Sequence, residues 1–284
     1  MTAEQWIDAR GVRTRVLTAG SNGAPPVLLL HDGGWGASAD MSWERVIPVL
    51  AREFQIVAPD MIGYGGTDKI GFFDRSGVKV RTEHLLAVLD RLGIESAAFV
   101  GNSFGGTIAV RALVDPEARS RISAVVSIGG TGGPWKTEKA LSELTRFDGT
   151  SKDMERYVEL LGIDPKDAEY VDRRLAWARE PGHYETLLAA HLEVPDVFLR
   201  SRPVSRDPFP ESLRGVGTPT LLIAGRDDDL LLSEWTRHLA DELVAAQITV
   251  MPTGHSPNVS HPDDTARVLG QFLRSRLVPA PMAE

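Results

Sequence analysis

The chain has 284 residues, and its 31 Lys and Arg against 39 Asp and Glu leave a net charge of −8, which excludes a general nucleic-acid binder because acidic surfaces repel phosphate. Hydrophobic residues at 42% supply enough side chains to fill a core and exclude intrinsic disorder. The absence of cysteine excludes disulfides, thiolate nucleophiles and Cys-ligated metals. No basic stretch followed by an apolar one opens the chain, and the longest apolar runs fall far below the ~18 residues a bilayer requires. A cytoplasmic location is expected, with a small-molecule substrate and neither nucleic acid nor membrane as partner.

In chain order, Gln5–Ala9 and Arg13–Leu17 alternate and predict an opening hairpin across Gly11. Val27–Leu30 and Gln55–Ala58 are continuous apolar runs, read as buried strands. Thr82–Leu92 sets Leu85, Leu86, Val88, Leu89 and Leu92 on one helical stripe that stops at Gly93. Ala97–Val100 is a strand, Thr107–Leu113 a helix, and Ile122–Ile128 a strand ended by Gly129 and Gly130. Thr220–Ala224 and Gln247–Met251 are further strands with a helix expected over Leu230–Leu243, and Thr265–Leu277 closes the chain as a helix. Alternation of this kind predicts an α/β fold with a mostly parallel sheet covered on both faces.

Residues 134–210 break the rhythm. They carry helical patterns over Glu138–Arg146, Asp153–Leu161, Pro165–Arg179 and Tyr184–His191, and no buried strand. This predicts a helical lid after the sixth strand, over the carboxyl ends of the strands, where α/β folds hold ligands. The expected organisation is a core over 1–133, the lid over 134–210, and the rest of the core over 211–284. The tail from Val278 to Glu284 is expected to fray.

Three sites carry chemistry. Gly101-Asn102-Ser103-Phe104-Gly105 joins a strand to a helix, the context in which G-x-S-x-G exposes a nucleophilic serine. A serine needs a base. Of the seven histidines, His84, His183, His191, His238 and His261 fall in helices, in the lid or before a proline. His255 lies in the loop directly after the strand Gln247–Met251 and is the expected base. One of Asp227, Asp228 and Asp229, after the strand Thr220–Ala224, is expected to orient it. His31-Asp32-Gly33-Gly34-Trp35-Gly36 follows the strand Val27–Leu30 and sits where an oxyanion-hole loop belongs, so Gly33 and Phe104 are the expected N–H donors.

These residues resemble the α/β-hydrolases, here with an eight-stranded sheet. They most resemble the meta-cleavage product hydrolases, which cut a carbon–carbon bond in 2-hydroxy-6-oxo-hexa-2,4-dienoates from aromatic degradation. The likeness rests on His31–Ala39, on Val57–Gly65 and on Asn102 before the serine. It implies Asp228 as the acid, with Asp227 as the fallback. It implies a substrate-contacting arginine in Val171–Ala176, with Arg174 fitting better than Arg173, and substrate contacts from Asn102, Gly34 and Trp35. It implies no metal or organic cofactor, and assembly as a homodimer or higher homo-oligomer.

Two residues depart from the family pattern. Asp32 stands in place of glycine, and a carboxylate there opposes an oxyanion unless it turns away or is protonated. Ser256 stands where tryptophan is usual. A carboxylesterase or lactonase with the same triad is the alternative activity, and a non-catalytic binding scaffold the alternative class.

Overall fold

The computed structural model describes residues 1–72, 76–189 and 208–278. Eight strands form one sheet: β1 (Ala3–Ala9), β2 (Val12–Ala19), β3 (Pro26–Leu30), β4 (Gln55–Pro59), β5 (Ala97–Asn102), β6 (Ile122–Ile128), β7 (Thr220–Gly225) and β8 (Ala246–Met251). Their order is β1-β2-β4-β3-β5-β6-β7-β8. Only β2, antiparallel to both β1 and β4, runs against the rest; β4, β3, β5, β6, β7 and β8 pair in parallel.

The apolar runs are central strands because both of their faces are covered. Every residue of β5 is buried. On one face Val27, Leu29, Val100 and Val126 pack with Trp43, Ile47, Leu269 and Leu273. On the other, Leu28, Leu30, Phe99 and Val125 pack with Leu85, Leu89, Ile108 and Val110. The first set includes the closing helix α12 (Pro262–Leu277), and the second includes α3 (Gly77–Arg91) and α4 (Phe104–Ala112). By contrast, Ile248 and Val250 of the edge strand β8 are exposed.

Short helices escaped the periodicity reading because a single turn has no period to show. These are α1 (Ala39–Trp43), α2 (Ile47–Leu50), α5 (Pro116–Ser120), α11 (Pro257–Ser260) and a 3₁₀ turn at Glu211–Leu213. The helix expected over Leu230–Leu243 is confined to α10 (Trp235–Glu242), since Thr137 and Trp135 hold the backbone of 230–232 in an extended connection.

Between β6 and β7 lie α6 (Glu138–Glu143), α7 (Ser151–Leu160), α8 (Ala168–Ala178) and α9 (His183–Ala189). The end of the helix expected over Tyr184–His191, the Pro-rich stretch up to residue 207 and the tail beyond Val278 lie outside the described residues. These four helices face the loops at the carboxyl edge of the sheet. Trp35, in the loop after β3, stacks between Phe147 at 5.4 Å and Tyr184 at 5.2 Å. Ser256 N–H donates to Leu161 O beyond α7.

Candidate active site

β5 delivers Ser103 at the centre of the sheet. Ser103 takes φ 52° and ψ −113°, in the half of backbone space that an L side chain avoids, and α4 begins at the next residue. Two glycines permit the turn. A Cβ on Gly101 would lie 2.2 Å from the Gly105 carbonyl carbon, and one on Gly105 would lie 2.4 Å from Leu30 O. Gly105→Ala therefore forces α4 away from β3. Its expected cost is about 1–3 kcal/mol, read by thermal denaturation, with a loss of turnover as Ser103 moves.

The serine has its base. Ser103 Oγ and His255 Nε2 are 2.8 Å apart, and His255 Nδ1 and Asp228 Oδ2 are 2.8 Å apart. A carboxylate only accepts, so Nδ1 carries the proton and Nε2 is left to accept from the serine. Asp228 uses its other oxygen to accept the Leu230 N–H at 2.9 Å. Its neighbours face water: Asp227 pairs with Arg226 and Asp229 with Lys139. Among the three aspartates, geometry thus singles out Asp228.

Burial works to lower the His255 pKa, but Asp228, through its charge and hydrogen bond, and the Asp32 charge overcome it and raise the pKa above that of an ordinary histidine. A protonated Nε2 cannot accept the serine proton. kcat/KM is therefore expected to rise with pH along an acid limb centred above ~6.5, measured by a pH–rate profile. A limb below that value contradicts the arrangement.

The loop after β3 is fixed peptide by peptide. His31 is fully buried; its Nδ1–H donates to Asp32 O at 2.6 Å and its Nε2 accepts from Met61 N–H at 2.9 Å. Both nitrogens are engaged in the neutral form, and burial lowers its pKa. A trans peptide sets C=O and N–H on opposite sides. Holding the Asp32 carbonyl therefore also fixes the direction of the Gly33 N–H. The next peptide is held at both ends, by Tyr64 Oη–H donating to Gly33 O at 3.0 Å and Gly34 N–H donating to Asp32 Oδ1 at 2.8 Å. The N–H groups of Gly33 and Phe104 enter no hydrogen bond among the described residues. Both N–H groups are left free to donate.

Asp32 is neither protonated nor turned to water. Burial would raise its pKa, but the Arg174 charge and hydrogen bonds from Arg174 and Gly34 bring it down to about 2. Arg174 Nη2 lies 2.7 Å from Asp32 Oδ1, and the two side chains are 0% and 3% exposed. Arg174 also donates from Nη1 to Tyr170 Oη and from Nε to Trp35 O, both at 2.9 Å. The acidic charge that the sequence sets beside the oxyanion loop is neutralised by the arginine expected to hold the substrate. Sequence reading treated the two residues separately, because a contact 142 positions long leaves no local signal.

Asn102 is engaged within the protein as well. It is fully buried, its amide donates to Ile128 O and His255 O, and its Oδ1 accepts from Ser256 Oγ. These bonds tie β5 to the histidine loop. Ser256, the second departure, is the partner that completes this tie. Gly34 and Trp35 likewise use their backbone groups within the protein, Gly34 N–H on Asp32 and Trp35 O on Arg174. Arg173 pairs with Glu44 and Asp40 away from these groups.

His183 had been assigned only to the lid. Its Nε2 accepts from Gly36 N–H and its Nδ1 donates to Gly63 O, each at 3.0 Å, so α9 bridges the two loops. Burial lowers its pKa to about 4. Among the described residues, no group of three or more His, Cys, Asp or Glu is placed to hold a metal ion, and no helix is long and apolar enough to cross a membrane.

Known proteins share this arrangement. The pattern of the alpha/beta hydrolase family matches residues 27–268. A 2-hydroxymuconate semialdehyde hydrolase from Pseudomonas sp. (strain CF600) is 31% identical over 94% of this chain and 92% of its own. A 2-hydroxy-6-oxo-6-(2'-aminophenyl)hexa-2,4-dienoic acid hydrolase from Metapseudomonas resinovorans is 29% identical over 96% and 91%. Among solved structures, the 2-hydroxy-6-oxo-6-phenylhexa-2,4-dienoate hydrolase from Rhodococcus sp. strain RHA1 superposes with a TM-score of 0.82 at 26% identity, covering 96% of this chain and 99% of that one. With its strained serine, its histidine and its aspartate in one hydrogen-bonded line, the chain belongs to the alpha/beta hydrolase family.

Proposed function

We propose that this enzyme hydrolyses a carbon–carbon bond in 2-hydroxy-6-oxo-hexa-2,4-dienoates, the products of aromatic ring meta-cleavage. The observation that carries the reading is the line Asp228–His255–Ser103, with 2.8 Å at each step, beside two unengaged N–H groups. The relatives named above, which span nearly the whole chain, supply the substrate class.

In this reading the 2-hydroxyl proton is lost and a proton is gained at C5, with His255 as the relay, so the dienol becomes a ketone. Ser103 Oγ, or a water that His255 activates, adds to C6 and gives its proton to Nε2. The oxyanion accepts from the Gly33 and Phe104 N–H groups. The C5–C6 bond breaks, and its electron pair leaves on a dienolate delocalised to the C2 oxygen. His255 returns the proton to the dienolate, water hydrolyses the acyl-serine where Ser103 was the nucleophile, and with one water consumed by either route the products are a carboxylic acid and 2-hydroxypenta-2,4-dienoate. Removing one oxyanion donor typically costs ~10²–10³ in rate.

Residues 134–210 act as the lid in this reading, with Trp35, Arg174 and His183 joining it to the oxyanion loop. A second reading, a carboxylesterase or lactonase, is favoured by one observation: Arg174, the expected carboxylate anchor, is engaged by Asp32. Mass spectrometry of products from 2-hydroxy-6-oxo-6-phenylhexa-2,4-dienoate distinguishes the two. Benzoate and 2-hydroxypenta-2,4-dienoate in equal amounts are expected; unchanged dienoate beside rapid ester cleavage contradicts the carbon–carbon reading.

A further inference from the structure

An anionic substrate calls for a cation with donors to give. Several buried or half-buried cations near the oxyanion loop are already committed to carboxylates or carbonyl oxygens. Arg174 is held by Asp32, Tyr170 and Trp35. Arg15 donates to Glu4, Asp40 and Asp60. Lys69 directs its three donors at the carbonyl oxygens of Tyr64, Gly65 and Thr67.

Arg81 differs from all three. It stands in the first half of α3, where Nη1 donates to Gly77 O and Nη2 to Ile62 O, each at 3.1 Å. Its Nε is buried and has no partner, and no carboxylate among the described residues pairs with it. A guanidinium carries five N–H donors, so most of this one's are unused. Burial lowers its pKa, and only Tyr64 opposes that shift. A desolvated charge with no counter-ion is costly to keep unless a ligand supplies one.

Its place is against the side chains that flank the nucleophile turn and the oxyanion loop. The guanidinium carbon lies 5.2 Å from the Phe104 ring centre and 5.8 Å from that of Tyr64. Phe104 follows the nucleophile, and its side chain covers Gly33 closely enough that a Cβ there would lie 2.6 Å from Phe104 Cβ and 2.8 Å from its ring. Tyr64 holds the Gly33 carbonyl. The Cβ position of Gly63 lies 3.7 Å from Arg81 Nη2 and 2.8 Å from Thr186 Cγ2, so the cation sits where α3, the 62–64 loop and α9 meet.

We propose that Arg81 is the anion subsite of this enzyme, receiving a carboxylate of the substrate in place of the engaged Arg174. The proposal rests on the dienoate reading for the identity of the substrate, but its recognition chemistry is that of any small carboxylate. A planar guanidinium with adjacent free N–H donors suits a carboxylate, and such charge-assisted bonds are the strong ones.

The test compares wild type, Arg81→Gln and Arg81→Lys on 2-hydroxy-6-oxo-6-phenylhexa-2,4-dienoate and on neutral p-nitrophenyl acetate, with benzoate as inhibitor of the ester reaction. Arg81→Gln is expected to raise the dienoate KM and the benzoate Ki about 10–100-fold, the worth of a charged hydrogen bond. It should move ester kcat/KM by less than about threefold. Arg81→Lys, which keeps the charge without the fork, should fall between the two on the dienoate and match wild type on the ester. An unchanged dienoate KM and benzoate Ki, or an ester rate that falls in step with them, overturns the proposal, the latter because it marks a clamp on the two rings. Should Arg81→Gln not fold, Arg81→Lys is read by the same split. A wild-type enzyme that cleaves the ester alone defeats the dienoate reading, and the benzoate comparison still decides Arg81.

Discussion

Ser103→Ala and His255→Ala are each expected to lower turnover by ~10³ or more, and the double variant is expected to be little worse than either, because hydrogen-bonded triad members act as a unit. Ser103 without His255 has no base to take its proton, and His255 without Ser103 has only water to activate. Neither side chain belongs to the apolar core, so the fold should survive, with circular dichroism unchanged. A fluorophosphonate should label the wild-type protein once and leave Ser103→Ala unlabelled. Retention of most activity in either single variant contradicts the assignment.

The second large effect concerns the ion pair beneath the lid. Asp32→Ala strands the Arg174 guanidinium, and Arg174→Ala strands a carboxylate, each at a position 0–3% exposed. Removing one partner of such a pair is expected to cost about 3–5 kcal/mol. At this chain length that lowers Tm by roughly 6–20 °C, measured by calorimetry. A double variant, Asp32→Ala with Arg174→Met, leaves no stranded charge and is expected to recover much of the loss, so a double-mutant cycle reads the coupling directly. Additive losses would contradict the pairing. The sign with pH follows from the depressed Asp32 pKa. The contribution is full above the unfolded carboxylate value of ~3.9 and is lost as pH falls through the folded value of about 2, so the pair stays ionised throughout the working range. Turnover should also fall, since Asp32 accepts the Gly34 N–H and thereby helps to set the neighbouring Gly33 peptide.

What was legible in the sequence follows from how far each signal reaches along the chain. The central strands were visible because a strand buried on both faces must be apolar throughout, as β3 and β5 are, and the opening hairpin because its residues alternate. The elbow was visible because a strained serine between glycines is a local event, and the order serine, aspartate, histidine followed from each standing at a strand end. Choosing Asp228 over Asp227 and Asp229 needed the family resemblance, since three adjacent aspartates look alike until one is seen facing His255. Long-range polar partnerships left no local mark. Asp32 with Arg174, His183 with the Gly36 N–H, and Asn102 with Ser256 each join groups that the chain separates by more than a hundred residues. Arg174 and Asn102 were therefore assigned to the substrate when the protein itself already satisfies them. Arg81 gave no sign either, because a helical arginine is ordinarily solvated, and only the structure shows this one without a counter-ion among the described residues.

Stopped-flow absorbance with 2-hydroxy-6-oxo-6-phenylhexa-2,4-dienoate and its 6-methyl analogue, alongside p-nitrophenyl acetate, tests the central claim most directly. The account predicts loss of the dienolate absorbance with kcat/KM above ~10⁴ M⁻¹s⁻¹, an ordinary enzymatic value, and slower cleavage of the ester. Ester cleavage with no dienoate turnover would contradict it, and would leave the same triad serving a carboxylesterase whose Asp32 has taken the carboxylate anchor out of use.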